Sequence, residues 1–290
     1  MYLLLSSGYD ELSQLIADGL KSRGRSSLIV NSTFGDGLKL SWRLNNKTSE
    51  SQLTLRDGRV LAADQIEGVL VRSIGWIDPL GWQPEDLAYI HTETQAALLG
   101  WLKALSCPVI GRLPASIWYR PQMPISCWQP LLARCGLSVT ETLVTNVDHE
   151  LELFRQATPI GAVYSPFSSA DRYLVDGDSD WKGISALAAC APVCLAVPHG
   201  QTRRVCLIGE ELVWDGDPPD EANRIRSALI EFASLAELNF VEFATAESLD
   251  GLSIVGVNPI PSIERFSDLS RRVIAECALN IFAGAEAALL

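Results

Sequence analysis

Two side chains at the ends of predicted strands could bind a ligand. Two β-rich runs, 238–245 and 252–257, flank a turn at Asp250-Gly251, and Asn258 follows the second run directly before a proline. The amide oxygen of Asn258 could coordinate a hard cation, although an Asn in this position is also a common turn former. Arg72 ends an earlier apolar run. Because strand ends of open α/β sheets face the ligand cleft, its guanidinium could contact a substrate or a partner.

The chain carries none of the common catalytic signatures that stand out in a single sequence. It has no P-loop, no GxGxxG, no HExxH and no GxSxG. Its three histidines, His91, His149 and His199, are isolated from one another. The seven cysteines are scattered without the spacing of a zinc knuckle, which predicts buried thiols in a cytosolic protein.

Composition limits the classes of function. With 290 residues and 48% hydrophobic content, the chain can form a globular protein with more than one subdomain. A net charge of −12 argues against nucleic-acid binding, which needs Lys and Arg at the phosphates, but leaves room for a nucleotide pocket. No basic region precedes the first apolar run, and no stretch reaches the roughly 18 apolar residues of a membrane span. We therefore expect a cytoplasmic protein with no membrane partner.

Strands alternate with helices over the first 110 residues, which predicts a small open α/β sheet. Helical spacing places Leu12, Leu15, Ile16 and Leu20 on one apolar face. A hairpin is expected around Asp57-Gly58. The predicted strands are 1–6, 27–31, 52–55, 59–62, 68–72 and 108–111, and the predicted helices are 10–23 and 85–105.

The pattern changes after Pro114. A stretch rich in Ser, Asp and Gly, 167–180, is expected to be a flexible loop. Asn146 is a candidate N-cap for the helix that follows it. The other strands predicted in this part are 136–146, 160–164, 191–197, 204–208 and 211–214, and the helices are 124–135, 147–155, 219–236 and 269–290.

This order of segments resembles the ATP-grasp ligases nearly from end to end. The closest resemblance is to the graspetide or microviridin type, which crosslinks side chains of ribosomal peptides. The matching segments are VLVRS (69–73), ETQAALLGWLKAL (93–105), GRLPASIWYRPQ (111–122), CWQPLLARCGLSVTETLVTN (127–146), RRVCLIGEELVW (203–214) and VGVNP (255–259). The resemblance implies an ATP-grasp-like fold of α/β and α+β parts. Its expected divisions are a pre-ATP-grasp-like α/β domain at 1–112, a central grasp lobe at 113–198 and a C-terminal grasp lobe at 199–290.

The resemblance also implies ATP and Mg²⁺ as cofactors, and it gives roles to single residues. Arg204 stands where an Arg of these ligases approaches the phosphates or the acyl group. Arg72 stands where paired arginines end a strand, so both are candidate catalytic residues. Asn258 and Glu242 are the candidate metal ligands, with Glu242 two residues before the position where the first acid is expected.

Several contacts that the resemblance implies are replaced in this chain. Ser165 stands where these ligases have a Lys at the phosphates, and Ala196 lies in the hinge strand where an acid is expected. Ala244 and Gly256 stand at the two positions of the metal carboxylates. His199, close to the hinge, is a further candidate for a nucleotide contact.

These replacements favour a degenerate ATP-grasp-like protein, because Mg²⁺ prefers anionic oxygens and phosphates need cations. Such a protein would bind a peptide, a small molecule or a partner ATP-grasp ligase in the old cleft without efficient ATP turnover. The alternative is an active ATP-dependent ligase that joins a carboxylate to an amine or a hydroxyl on a peptide. Whether the protein is an enzyme stays open at this point, and a homodimer is one possible assembly.

Overall fold

A parallel sheet forms the N-terminal part of the protein. The computed structural model describes residues 1–6, 8–31, 38–46, 49–73, 81–118, 123–167, 172–198, 200–248 and 251–287. Its first elements are β1 (Tyr2–Leu5), α1 (Glu11–Ser22), β2 (Ser27–Val30), β3 (Leu38–Leu44), β4 (Ser49–Leu55), β5 (Val60–Ala62), β6 (Gly68–Val71), α2 (Pro84–Ala104) and β7 (Val109–Ile110). The parallel strands lie in the order β2-β1-β6-β7, while β3, β4 and β5 form a separate antiparallel sheet.

Local sequence explains how this sheet is formed. All four residues of β1 are buried, as expected for a central parallel strand that is covered on both faces. Leu12, Ile16 and Leu20 are buried along one side of α1. Asp10 caps this helix, because its Oδ2 accepts a hydrogen bond of 2.9 Å from the backbone N–H of Ser13.

The middle of the chain forms a second sheet of four strands. Its elements are α3 (Ala115–Trp118), α4 (Ile125–Arg134), β8 (Ser138–Val139), β9 (Thr142–Thr145), α5 (Asp148–Ala157), β10 (Ala162–Tyr164), β11 (Tyr173–Val175), α6 (Asp178–Ala188) and β12 (Val193–Ala196). The strand order is β11-β10-β12-β9. Phe154 of α5 and Trp181 of α6 pack with Val193 and Leu195 in an apolar core of their own.

The C-terminal part forms a five-stranded sheet. Its elements are β13 (Thr202–Ile208), β14 (Glu211–Trp214), α7 (Ala222–Leu235), β15 (Phe240–Ser248), β16 (Gly251–Asn258) and α8 (Asp268–Ala287). The order is β14-β13-β15-β16-β8, so β8 leaves the middle segment and pairs in parallel with β16. The limits 1–112, 113–198 and 199–290 stay predictions.

Two further apolar clusters join the first sheet to the C-terminal sheet. One contains Leu3 of β1 together with Val205 of β13 and Phe243 of β15. The other contains Tyr2, and its ring lies 5.1 Å from that of Phe282 on α8. In the part of the chain that the structure describes, no helix has the length and apolar character that a membrane crossing requires.

The structure confirms most of the predicted elements, but three expectations are wrong. The run 136–146 is divided into β8 and β9. Asn146 does not cap α5; Val147 does, and its N–H donates to Thr145 Oγ1 in a short side-chain turn (3.0 Å). The described part of 167–180 contains β11 and the start of α6, because Val175 in this stretch and Trp181 directly after it bury apolar side chains.

Asn239 fastens the C-terminal sheet to the first sheet. Its Oδ1 accepts a hydrogen bond of 3.0 Å from Gly111 N, and its Nδ2 donates one of 2.6 Å to Val109 O. Gly111 has a φ of 78°, and a Cβ there would collide with the carbonyl oxygen of Val71. The backbone after β7 therefore approaches β6 so closely that only glycine can occupy position 111, and Asn239 binds the first sheet at this point.

Replacing Asn239 by Ala is expected to lower the free energy of unfolding by about 2 kcal/mol, because two partly buried backbone groups lose their partner. Urea unfolding followed by circular dichroism measures the change. Asn223→Ala, at an exposed position of α7, is the matched control and should leave the midpoint nearly unchanged. Equal midpoints for the two variants would contradict the role of Asn239 as a tie between the sheets.

Candidate functional site

The candidate residues of the C-terminal sheet lie in two adjacent rows across β13, β15 and β16. Arg204, Ala244 and Gly256 are register partners in the first row. In the second row Cys206 pairs with Glu242, which pairs with Asn258. Register partners on neighbouring strands point to the same face of a sheet, and so do residues two apart along one strand. All six positions therefore lie on one face.

Glu242 is buried and uses both carboxylate oxygens. Oε2 accepts hydrogen bonds from Ser262 N at 2.8 Å and from Asn258 Nδ2 at 3.2 Å. Oε1 lies 3.4 Å from Nε of Arg204. Burial raises the pKa of Glu242 above its ordinary value, while these donors and the charge of Arg265 oppose the shift. The carboxylate therefore ties β15 to the segment that follows β16.

Asn258 forms part of the turn that leaves β16. Its Oδ1, the atom that would coordinate a cation, accepts a hydrogen bond of 3.1 Å from Ile260 N. Its Nδ2 donates to Glu242 and also to Ser262 Oγ at 3.2 Å. The turn that the Asn-Pro pair predicts is present here, and Asn258 and Glu242 are brought together as hydrogen-bond partners.

Arg172 reaches the position where the sequence lacks a carboxylate. A Cβ on Gly256 would collide with Nη2 of Arg172, and this guanidinium donates a hydrogen bond to Val255 O. Burial lowers the pKa of Arg172, although the residue as a whole remains exposed. The contact joins β16 to the residue directly before β11.

Arg172 also lies close to the position where a Lys was expected. Tyr164 of β10 pairs with Tyr173 of β11, so the next step of this antiparallel register brings Ser165 opposite Arg172. Ser165 itself is buried, and its N–H donates to Cys194 O at 2.9 Å. The register thus places the backbone of Arg172 across from Ser165, while its guanidinium reaches Val255 and Gly256.

Sequence reasoning missed Arg172, which falls in the stretch expected to be a loop. The usable signal was the apolar run Tyr173–Val175, which is typical of a short strand that begins directly after Arg172. No spacing rule connects Arg172 with Gly256, because they meet only when β11 is folded against the C-terminal sheet. His199, the remaining candidate for a nucleotide contact, lies outside the described residues.

Arg72 lies at the carboxyl end of β6, as predicted, but it is held inside the protein. Its Nε pairs with Asp10 Oδ1 at 3.1 Å, and its Cζ lies 5.7 Å from the centre of the Phe240 ring. Nη1 is buried and has no hydrogen-bond partner among the residues that the structure describes. An adjoining recess of about 10 Å³, lined in part by Gly111 and Ile260, is large enough for one water molecule. Arg72 therefore supports the junction of the two sheets.

The described side chains do not fit a Mg²⁺ site. Among the described residues, no group of three or more His, Cys, Asp or Glu side chains could hold a metal ion. Mg²⁺ prefers carboxylate oxygens in octahedral geometry. Glu242 has both oxygens engaged, and the positively charged groups of Arg204 and Arg172 lie at the two ends of the first row.

Comparisons with known proteins identify the fold. No protein-family model and no curated protein matches the chain. A solved structure of the macrocyclase MdnC bound with the precursor peptide MdnA, from Microcystis aeruginosa MRC, has a TM-score of 0.75 at 17% identity. The alignment covers 96% of this chain and 99% of that chain.

Two further solved structures agree. A Chryseobacterium gregarium RiPP-associated ATP-grasp ligase in complex with ADP and a leader and core peptide has a TM-score of 0.73 at 13% identity, covering 98% of this chain and 96% of that chain. The ATP-grasp ligase PsnB, complexed with a minimal precursor, Mg and ADP, has a TM-score of 0.73 at 17% identity, covering 97% and 98%. The chain therefore has the ATP-grasp fold of these peptide ligases, as the order of its segments predicted.

Proposed function

We propose that this protein binds a peptide in the cleft of its ATP-grasp fold and does not turn over ATP efficiently. The observation that carries the proposal is the guanidinium of Arg172 in the space that a side chain at position 256 would need. A cation held there repels a second cation, and Gly256 supplies no oxygen ligand from a side chain. The described residues of the cleft therefore lack the anionic ligands that would hold a metal-bound triphosphate.

The resemblance to MdnC and the Chryseobacterium gregarium ligase supports a peptide as the ligand. Both of those proteins were solved with peptides bound. The fold of this chain follows theirs over nearly the whole length, so a surface of similar shape is available to a peptide. A small molecule or a partner ligase would be other ligands of the same surface.

The chain's own residues are suited to holding the cleft in place. Glu242 joins β15 to the turn at 258–262 through the hydrogen bonds of its Oε2. Arg172, directly before β11, joins that strand to β16 through Val255 O. In an active ligase of this fold, Mg²⁺ would neutralise the triphosphate during phosphate transfer to a carboxylate. The described residues provide no set of acids for that ion, so we assign no ligation step to them.

A second candidate function is favoured by one observation. Glu242 lies opposite Asn258 in the register of β15 and β16, so an acid and an amide oxygen remain on neighbouring strands. If Arg204 and Ser262 released Glu242, these two groups could serve an ATP-dependent carboxylate–amine or carboxylate–hydroxyl ligase. ATP and Mg²⁺ are proposed as cofactors for this candidate alone.

The two candidates predict different results in one assay. The purified protein is incubated with ATP and Mg²⁺, and ADP is measured with and without short peptides encoded beside its gene. We expect no ADP above the blank, because the described residues of the site offer no set of free carboxylates for a metal ion. PsnB with its minimal precursor, tested in parallel, is the positive control. Mg²⁺-dependent ADP formation that increases with peptide would establish the ligase and exclude our proposal.

Peptide binding is measured separately by fluorescence anisotropy with the same peptides. We expect saturable binding that is unchanged when ATP and Mg²⁺ are left out, because the cleft needs neither to hold its shape. Binding that appears only with Mg²⁺-ATP would favour the active ligase. Absence of binding to every peptide would remove the peptide from the proposed function.

A further inference from the structure

We infer that the Arg204–Ala244–Gly256 row is a binding site for a phosphate group that works without a divalent cation. In this arrangement the phosphate lies over Ala244, between the guanidiniums of Arg204 and Arg172. The inference rests on the proposed function for the place of the site, the same cleft, and not for the absence of ATP turnover. It assigns to Arg172 the positive charge that a metal ion would otherwise supply.

The row has the size and shape that such a ligand needs. Neighbouring strands lie about 4.8 Å apart, so the backbones at Arg204 and Gly256 are separated by about 10 Å, with Ala244 between them. Ala244 is half-buried and Gly256 carries no side chain, so small residues form the floor. The Cβ of Ala244 lies 3.4 Å from the point that a Cβ at Gly256 would occupy. An anion can therefore approach the sheet closely between two cationic groups.

The guanidiniums at the two ends have unused capacity. Arg204 contacts Glu242 through Nε, and its side chain is 38% exposed, so both terminal nitrogens can turn toward a ligand. Arg172 donates to Val255 O, and no carboxylate of the described residues pairs with it. A partly desolvated guanidinium without an anion is unfavourable, and a bound anion offsets that cost.

A phosphate suits this place better than a carboxylate. It carries up to two negative charges and three acceptor oxygens, so one group can receive hydrogen bonds from both arginines at once. The nearest acid on the same face, Glu242, has both oxygens engaged and leaves the positions over Ala244 free. The chemistry therefore favours a nucleoside phosphate, or another phosphate ester, over an acidic peptide.

The test is calorimetric titration of the purified protein with ADP in the presence of EDTA. We expect binding without Mg²⁺ and at least tenfold weaker binding by Arg172→Ala. The affinity of Arg172→Lys for ADP should lie between those of the natural protein and Arg172→Ala, since Lys keeps the charge but not the paired donors. Arg134→Ala removes an exposed arginine of α4 and should bind ADP as the natural protein does. Thermal melting of each variant checks that it is folded.

Competition by tripolyphosphate and by a glutamate hexapeptide distinguishes a site for phosphate from a site for an acidic peptide. The inference predicts that tripolyphosphate competes with ADP and depends on Arg172, whereas the hexapeptide does not compete. Unchanged or tighter ADP binding by Arg172→Ala would overturn it, because Arg172 would then only block the cleft. Stronger competition by the hexapeptide than by tripolyphosphate would overturn the choice of phosphate.

The outcome is independent of the turnover assay. Mg²⁺-dependent ADP formation together with Arg172-dependent binding in EDTA would exclude the proposed function and leave this inference intact. Absence of both turnover and binding in EDTA would leave the proposed function intact and overturn the inference.

Discussion

Glu242→Ala is expected to lower the free energy of unfolding by about 2–3 kcal/mol, mainly because it leaves two hydrogen-bond donors without an acceptor. Ser262 N and Asn258 Nδ2 both donate to Glu242 Oε2 in the natural protein. Arg204 adds little to this cost, since more than a third of its side chain is exposed and it can turn to solvent. The loss should be the same with and without Mg²⁺ if Glu242 has a structural role.

Urea unfolding at fixed pH, with 5 mM Mg²⁺ or with EDTA (~5 mM, well above any contaminating metal), measures this difference. Glu247→Ala is the matched control, because Glu247 lies on the same strand and forms an exposed ion pair with Arg203. That change should cost less than about 0.5 kcal/mol. Mg²⁺ that stabilised the natural protein but not Glu242→Ala would show instead that Glu242 is a metal ligand.

Glu242→Gln tests the charge of the same group. Burial raises the pKa of Glu242 above its ordinary value of 4.5, so the folded protein holds this proton more tightly than the unfolded chain. The stability from this group is then fully present below the unfolded pKa and is lost as the pH rises through the folded pKa. Gln does not titrate. As the pH rises above about 4.5, the free energy of unfolding, measured by urea unfolding, should therefore fall less for Glu242→Gln than for the natural protein.

Much of the fold could be predicted because its signals are local. The buried run of β6 and the apolar spacing of α1 depend on a few neighbouring residues each. The hairpin of β13 and β14 turns at Gly209, whose φ is 60°, as a Gly between two β-rich runs predicts. Segment order then connects these local elements with a known fold.

The candidate site was predictable only where one strand register determines it. Glu242 and Asn258 lie on strands joined by a short turn, and they do face each other. Arg172 and Val255 are 83 residues apart, so their contact depends on how two sheets approach. The pairing of Arg72 with Asp10 likewise follows from packing between β6 and the start of α1. Side-chain partners of this kind leave no pattern in a single sequence.

Gly256→Asp is expected to weaken ADP binding in EDTA by about 30-fold, because a negative charge would lie beside the phosphate and would neutralise Arg172. The atom in the way of the new Cβ is the end of the flexible Arg172 side chain, so the strand itself can stay in place. The introduced carboxylate would also stand on the same face as Asn258, two residues before it. It would offer anionic oxygens to a metal ion, so Mg²⁺ should recover part of the lost affinity.

Mg²⁺ should thus strengthen ADP binding by Gly256→Asp, whereas the natural protein does not need it. Calorimetric titrations with ADP, in EDTA and in excess Mg²⁺, give the four affinities needed. Gly183→Asp adds the same charge on α6, where a new Cβ meets no atom within 4 Å, and should bind like the natural protein. If Gly256→Asp binds ADP in EDTA as tightly as the natural protein, the phosphate does not lie over Ala244. If Mg²⁺ does not strengthen ADP binding by Gly256→Asp, the missing acid at position 256 does not explain why this cleft does not fit a metal ion.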